Sequence, residues 1–194
     1  MFGYAGVREH VLELEEENKR LNVDVIRTRY LARMLEIGQN TKNEKVDIIP
    51  VLENNSSQND ALIISSGTNN AIHEGDMVYH AGFIVGVIAT ADESTANVQL
   101  FSGAGQETTG LLFPAEEQVT IEGRGNGNFF ASLSRDIPVE VGDQVFVFDE
   151  QRSLLAIVRD VQFDPRDPFQ SVYLSYPENT GKFNYLEIKN TLSE

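Results

Sequence analysis

The chain has 194 residues, and its hydrophobic content of 41% is typical of a protein that folds around cores of its own. Its 30 acidic and 15 basic residues give a formal net charge of -15, which argues against a surface that binds nucleic acid or anionic lipid. The sequence contains no cysteine, so disulfides, thiolate metal sites and cysteine nucleophiles are excluded. It also lacks an apolar run of about 18 residues, so it predicts no membrane-spanning helix.

The charge divides the chain into two parts. Residues 1–45 carry 8 basic and 8 acidic side chains, whereas residues 46–194 carry 7 basic and 22 acidic ones. All 6 prolines lie at or after Pro50. We therefore predict a dimerisation helix at 1–38, a linker at 39–45, a first β unit at 46–113, a second β unit at 114–190 whose late strands can return to the first, and a tail at 191–194.

The first part has a heptad pattern. Apolar residues alternate at three- and four-residue steps, and one polar residue, Asn18, occupies an a position. β-Branched residues at a with Leu at d favour a parallel two-stranded coiled coil, and a single Asn at a fixes its register. The alternative is that the helix lies on its own domain. The predicted dimerisation residues are Val11, Leu14, Asn18, Leu21 and Val25.

A second apolar stripe follows later in the same predicted helix. Tyr30, Met34 and Ile37 recur at helical spacing on a face away from the heptad seam. The back face of a solvated coiled coil is normally polar. We therefore predict that this stripe docks onto the β unit that follows.

After residue 45 the apolar residues alternate with period two, in short runs separated by turn residues. About twelve short strands in about 145 residues predict an all-β barrel or sandwich architecture. The predicted strands are Val46–Leu52, Ala61–Ser65, Met77–His80, Phe83–Ala89, Asn97–Phe101, Thr108–Phe113, Val119–Glu122, Asn128–Leu133, Gln144–Phe148, Leu154–Phe163, Ser171–Ser175 and Tyr185–Lys189.

The candidates for catalysis are few. His80 with Asp92 and a serine such as Ser132 or Ser134 would supply the residue types of a serine hydrolase, but no serine lies in a G-x-S-x-G segment. We predict that the chain is not an enzyme, with a trypsin-like double-barrel hydrolase as the alternative.

Metal and cofactor sites are not predicted either. The segment from Asp164 to Pro168 has two carboxylates, but its prolines indicate a rigid turn rather than a calcium loop. The Gly-rich segment from Gly123 to Gly127 contains no Lys and precedes a β run rather than a helix, so we interpret it as a hairpin loop.

Aromatic residues are concentrated in the last third of the chain. Phe129 and Phe130 are adjacent, and neighbours on a strand point to opposite faces. One of them should therefore lie between β units or at a partner surface. We predict Phe129 and Phe130 as partner-binding residues, with packing between the two units as the alternative.

Several segments of the sequence resemble the MreC family of rod shape-determining proteins. The segment from Leu14 to Leu21 is similar to the family's Glu-Asn-x-x-Leu coil, and Ile63 to Val78 to its strand, Gly-Ser-Asn-Asp-Gly turn and return strand. Gly82 to Ile88 and Val141 to Val145 resemble two further family strands and turns, but Phe148 to Val158 departs from the family pattern. The resemblance covers about residues 8–190.

The resemblance implies a mainly β fold with an N-terminal α-helical coiled coil and two small six-stranded β-barrels. It implies a non-enzymatic, self-associating scaffold of the bacterial cell-elongation complex that organises peptidoglycan synthesis, without cofactors. The implied partners are a second copy in a parallel homodimer, a penicillin-binding transpeptidase, MreD and MreB. The implied location is the extracytoplasmic face of the plasma membrane, with an anchor outside this chain. A soluble coiled-coil adaptor without an envelope role is the remaining alternative.

Overall fold

The computed structural model describes residues 44–54, 60–149 and 151–191. Within these ranges the chain forms twelve β-strands and two short 3-10 turns, Thr68–Asn70 and Thr180–Lys182. Each of the twelve predicted strands overlaps one observed strand. The strands are β1 Glu44–Asn54, β2 Ala61–Ile64, β3 Met77–His80, β4 Phe83–Ala91, β5 Ala96–Leu100, β6 Glu107–Phe113, β7 Glu117–Gly125, β8 Asn128–Ser134, β9 Gln144–Val147, β10 Leu154–Phe163, β11 Phe169–Ser175 and β12 Tyr185–Thr191.

The strands close into two antiparallel barrels of six strands each. The first barrel has the order β1-β12-β3-β4-β5-β2, and the second has the order β10-β11-β8-β7-β6-β9. The predicted mainly β fold with two six-stranded barrels is confirmed. The predicted coiled coil, the linker up to residue 43 and the end of the tail lie outside the described residues, so they stay predictions.

The barrels are not divided at residue 113 as the sequence suggested. β6 ends at Phe113, but it pairs with β7 and β9 and so belongs to the second barrel. The turn after Phe113 is a hairpin that joins two neighbours of one barrel, and it is not a boundary. β12 is the last strand of the chain, yet it pairs with β1 and β3 and completes the first barrel.

The hairpin loop predicted at residues 123–127 is shorter in the structure. Gly123, Arg124 and Gly125 belong to β7, so the hairpin turn contains only Asn126 and Gly127. Both turn residues have positive φ, 54° and 77°, as the two central residues of a type I′ turn require. Gly123 must lack a side chain, because a Cβ there would lie 2.2 Å from the carbonyl oxygen of Gly103.

The cores follow the alternation of the strands. In β8, for example, Phe129, Ala131 and Leu133 are buried, while the residues between them face outward. Val172 and Leu174 of β11 point into the same barrel. Among the described residues, no helix is long and apolar enough to cross a membrane.

Tyr176, directly after β11, joins the two barrels. Its hydroxyl donates to the carbonyl oxygen of Val85 in β4 at 2.5 Å and accepts from the amide of Ser102 at 3.1 Å. Its ring packs against Phe83 of the first barrel and edge-on against Phe129 of the second, with centroid separations of 6.0 and 5.0 Å. Burial raises the pKa of Tyr176 above its usual range, so the hydroxyl keeps its proton.

A buried carboxylate supports the same junction. Asp60, just before β2, accepts a hydrogen bond from the amide of Asn126 in the β7–β8 turn at 2.8 Å. Burial raises the pKa of Asp60, and the bond to Asn126 opposes that shift. The connection from Phe101 to Gln106 also bonds to β7, because Gly125 donates its amide to Ser102 at 2.7 Å. The two barrels are therefore connected by backbone and side-chain bonds as well as by apolar contacts.

Replacing Tyr176 with Phe should lower the free energy of unfolding by about 1–3 kcal/mol, since the buried amide of Ser102 loses its acceptor. The carbonyl of Val85 loses one of two donors and keeps its bond from the amide of Phe101. Urea denaturation of the purified chain measures this loss. Tyr173→Phe is the matched control, because its side chain lies on the surface at 41% exposure, and it should change stability by less than about 0.5 kcal/mol. Equal stability of the Tyr176→Phe variant and the parent would contradict this role.

Candidate functional site

An aromatic pair lies on the outer face of the second barrel. Phe130 of β8 is directly opposite Tyr173 of β11, and their rings meet edge-on with centroids 5.6 Å apart. The pair faces outward because Phe129 and Ala131 on β8, and Leu174 on β11, point inward. Adjacent strands therefore place two large rings together at the surface.

A bulged arginine flanks each side of the aromatic pair. The register between β7 and β8 shifts at Arg124, which is the extra residue between Gly123 and Gly125. The register between β10 and β11 shifts in the same way at Arg159, between Val158 and Asp160. A bulge adds one residue to a strand and re-aims its side chain. The strand order β7-β8-β11-β10 thus brings an arginine to each side of the rings.

Both guanidinium groups have partners within the structure. The guanidinium carbon of Arg124 lies 4.9 Å from the centroid of the Phe130 ring, and one nitrogen is 3.2 Å from Glu122. Arg159 donates from Nε to Ser175 Oγ at 2.8 Å and from Nη2 to the carbonyl oxygen of Tyr176 at 3.2 Å. Desolvation lowers the pKa of Arg159, although an arginine remains protonated in proteins.

These side chains surround an open groove of about 420 Å³. Its lining combines an aromatic floor with two cations, and among the residues that the structure describes no carboxylate belongs to this lining. Such a groove can bind an apolar side chain and an anionic group at the same time. The lining residues are Arg124, Asn128, Phe129, Phe130, Arg159, Tyr173 and Leu174.

The two phenylalanines predicted to bind a partner have different positions. Both border the groove, but only Phe130 faces outward, whereas Phe129 is 1% exposed and packs against Tyr176 at the barrel junction. Phe129 is therefore a core residue, as the alternation of a strand requires of one of two neighbours. The predicted dimerisation residues and the docking stripe of Tyr30, Met34 and Ile37 lie outside the described residues and stay predictions.

Sequence reasoning missed Arg124, Arg159 and the specific role of Tyr173. Both arginines are at bulges, and a bulge depends on the partner strand rather than on any local sequence pattern. Tyr173 carried a usable signal, because it alternates with the apolar residues Val172 and Leu174 on a predicted strand. The pairing of Tyr173 with Phe130 joins residues 43 positions apart and depends on the order of strands in the barrel.

The hydrolase alternative has no matching geometry. His80 is buried in the first barrel, with Nδ1 2.9 Å from the carbonyl oxygen of Tyr185 and Nε2 3.3 Å from Glu178. Ser132 and Ser134 are on β8 of the second barrel. The histidine therefore has two local partners, and neither is a serine.

The turn from Asp164 to Pro168 uses its carboxylates to cap the backbone. Asp164 accepts from the amide of Arg166, and Asp167 accepts from the amide of Phe169, each at 2.9 Å. This agrees with the predicted rigid turn. Among the described residues, no three His, Asp or Glu side chains converge on a possible metal position.

The family model and the solved structures that match the chain point to one family. A family model described as rod shape-determining protein MreC, barrel core, matches residues 51–188. No curated protein sequence is significantly similar to the chain.

Solved structures share the fold at low sequence identity. The crystal structure of MreC from Pseudomonas aeruginosa is 19% identical, with a TM-score of 0.66 over 74% of this chain and 98% of that one. MreC from Listeria monocytogenes is 16% identical, with a TM-score of 0.62 over 95% and 96%. A complex between penicillin-binding protein PBP2 and MreC from Helicobacter pylori matches at 10% identity and a TM-score of 0.53, over 77% and 99%.

Alanine substitutions should separate the two neighbouring phenylalanines. Phe129→Ala removes a fully buried ring, so it should lower the free energy of unfolding by about 3–5 kcal/mol. Phe130→Ala removes a partly exposed ring and its contacts with Tyr173 and the guanidinium of Arg124, and we expect a smaller loss of about 0.5–1.5 kcal/mol. Urea denaturation of both variants measures the difference. Equal losses would contradict the assignment of Phe129 to the core and Phe130 to the surface.

Proposed function

Because the chain belongs to the MreC family of rod shape-determining proteins, we propose that it is a self-associating scaffold of the bacterial cell-elongation complex that organises peptidoglycan synthesis. The family match carries this proposal, since it spans residues 51–188 and so includes strands of both barrels. Members of the family are structural and non-enzymatic, and the chain is not an enzyme. Its chemistry is therefore that of binding.

We propose a penicillin-binding transpeptidase as the partner of the β region. The support is the similarity of the fold to the structure of the complex between PBP2 and MreC from Helicobacter pylori. The groove with Phe130 and Tyr173 offers the surface aromatic residues in which binding energy is typically concentrated. We assign the partner contact to this groove and no longer to Phe129.

The family resemblance also supports the remaining parts of the proposal. MreD and the MreB filament system are proposed as further partners, and the proposed location is the extracytoplasmic face of the plasma membrane. The soluble adaptor without an envelope role is the competing proposal. Localisation of the tagged native protein in membrane and soluble fractions distinguishes the two, and recovery in the soluble fraction alone would favour the adaptor.

Self-association is proposed to occur through the heptad seam of residues 1–38. Introducing Asp at both Leu14 and Leu21 puts charges into that seam and should convert dimers into folded monomers. Sedimentation velocity at micromolar concentration measures the mass, and circular dichroism checks that the β signal is kept. A parent chain that sediments only as a monomer would contradict dimerisation of the free chain.

The partner proposal predicts that Phe130→Ala weakens binding of the full chain to the ectodomain of the elongation transpeptidase. A central aromatic residue typically contributes more than about 1 kcal/mol, which is roughly a fivefold change in affinity. Phe169→Ala is the control, since Phe169 is 52% exposed at the opposite end of β11, and its affinity should equal that of the parent. Parent-like affinity of Phe130→Ala, measured by isothermal titration calorimetry, would remove the groove from the proposed interface.

A further inference from the structure

We propose that the groove recognises a partner segment in which a carboxylate lies next to an aromatic or branched aliphatic side chain. This inference rests on the proposed function, because it specifies the chemistry of the segment that the transpeptidase would insert. Such a segment fits the two arginines of the groove, their unused N–H donors and the size of the apolar floor.

Two of the few basic side chains of the β region meet at the groove. Residues 46–194 carry 22 acidic and only 7 basic side chains, yet two of those basic residues, Arg124 and Arg159, line this one groove. Its lining contains no carboxylate from the part of the chain that the structure describes, although Glu122 and Asp160 are the neighbours of the aromatic pair in the sheet. A partner carboxylate would therefore meet positive charge here, whereas most of the surrounding surface would repel it.

Both arginines can bind a carboxylate without a large rearrangement. The hydrogen bonds of Arg159 to Ser175 and Tyr176 use Nε and one Nη2 hydrogen, so further N–H donors of this guanidinium are not used by them. Anchoring of this kind restricts the side chain before the partner arrives, which reduces the entropy cost of binding. The planar fork of an arginine fits the two oxygens of a carboxylate.

Glu122 would compete with a partner carboxylate for the guanidinium of Arg124. Glu122 lies 3.2 Å from Arg124, but the side chain of Arg124 is 52% exposed and the pair is open to solvent. Exposed ion pairs of this type are weak. A partner carboxylate can therefore share or replace Glu122, while the contact of Arg124 with the ring of Phe130 keeps the guanidinium at the groove.

The apolar part of the segment is defined by the two rings. Phe130 and Tyr173 meet edge-on and leave a groove of about 420 Å³. This volume is near the lower end of the range for small ligand pockets, so it fits one or two side chains rather than a whole helix. An aromatic or branched aliphatic side chain would bury apolar area against the rings and place its neighbouring carboxylate between the arginines.

The overall charge adds a condition on the rest of the partner. Because residues 46–194 are strongly acidic, a partner with many carboxylates would be repelled before contact. The inserted carboxylate should therefore stand alone in a neutral or basic surface. This combination would reject uniformly acidic proteins while still requiring one acid at the groove.

The test uses the full chain and the transpeptidase ectodomain as the probe. Arg124→Gln should weaken binding roughly fivefold or more, and Arg124→Lys should retain only part of the affinity because an ammonium lacks the planar fork. Arg135→Gln is the matched control, since Arg135 also lies over a phenylalanine ring, that of Phe163 at 5.1 Å, at the other end of the barrel. Its affinity should equal that of the parent, and melting curves check that all three variants are folded.

A second arm identifies the partner carboxylate. Each surface Asp and Glu of the ectodomain is changed to Asn or Gln, and one substitution should weaken binding to the parent but have little further effect on binding to Arg124→Gln. If the ectodomain binds the parent and both Arg124 variants with equal affinity, the inference is overturned and the proposed partner stands. If the ectodomain does not bind the parent at all, the proposed partner itself is wrong.

Discussion

The buried hydroxyl of Tyr176 is the interaction on which the arrangement of the two barrels depends. It donates to a carbonyl of β4 and accepts from an amide of the β5–β6 connection, although Tyr176 itself follows β11 of the second barrel. At 2% exposure the group has no access to water, so both bonds must be made by protein. Buried polar groups that are fully paired specify one arrangement, because any other arrangement leaves them unpaired.

The surface groove depends on the same residues as the junction. Phe129 faces inward and packs on Tyr176, so strand alternation places Phe130 outward in the groove. Arg159 donates to the backbone carbonyl of Tyr176, which connects the groove directly to the residue that joins the barrels. The proposed binding surface is therefore supported by well-packed residues, which is the arrangement that favours specific recognition.

The chemistry of the chain suits binding rather than catalysis. His80, the one histidine that invited a catalytic interpretation, is enclosed by the rings of Phe83, Phe183 and Tyr185 and contributes to the core of the first barrel. The groove with Arg124 and Arg159 lies in a strongly acidic β region. Acidic parts of a partner would therefore be repelled at long range, while a single carboxylate would be attracted at the two arginines. A scaffold can use that contrast to select among proteins that share the same compartment.

The sequence by itself determined the strands, the turns and the family. Alternating apolar residues mark all twelve strands, and the Asn126-Gly127 pair matches a two-residue hairpin turn, because strand alternation and turn chemistry are local properties of the chain. Tertiary structure decided which strands share a barrel, since β1 pairs with β12 across more than 130 residues and no local pattern encodes that contact. It also decided which of Phe129 and Phe130 is buried and where Arg124 and Arg159 bulge outward. Both outcomes depend on strand register, and closure of the barrel sets that register only after distant segments have paired.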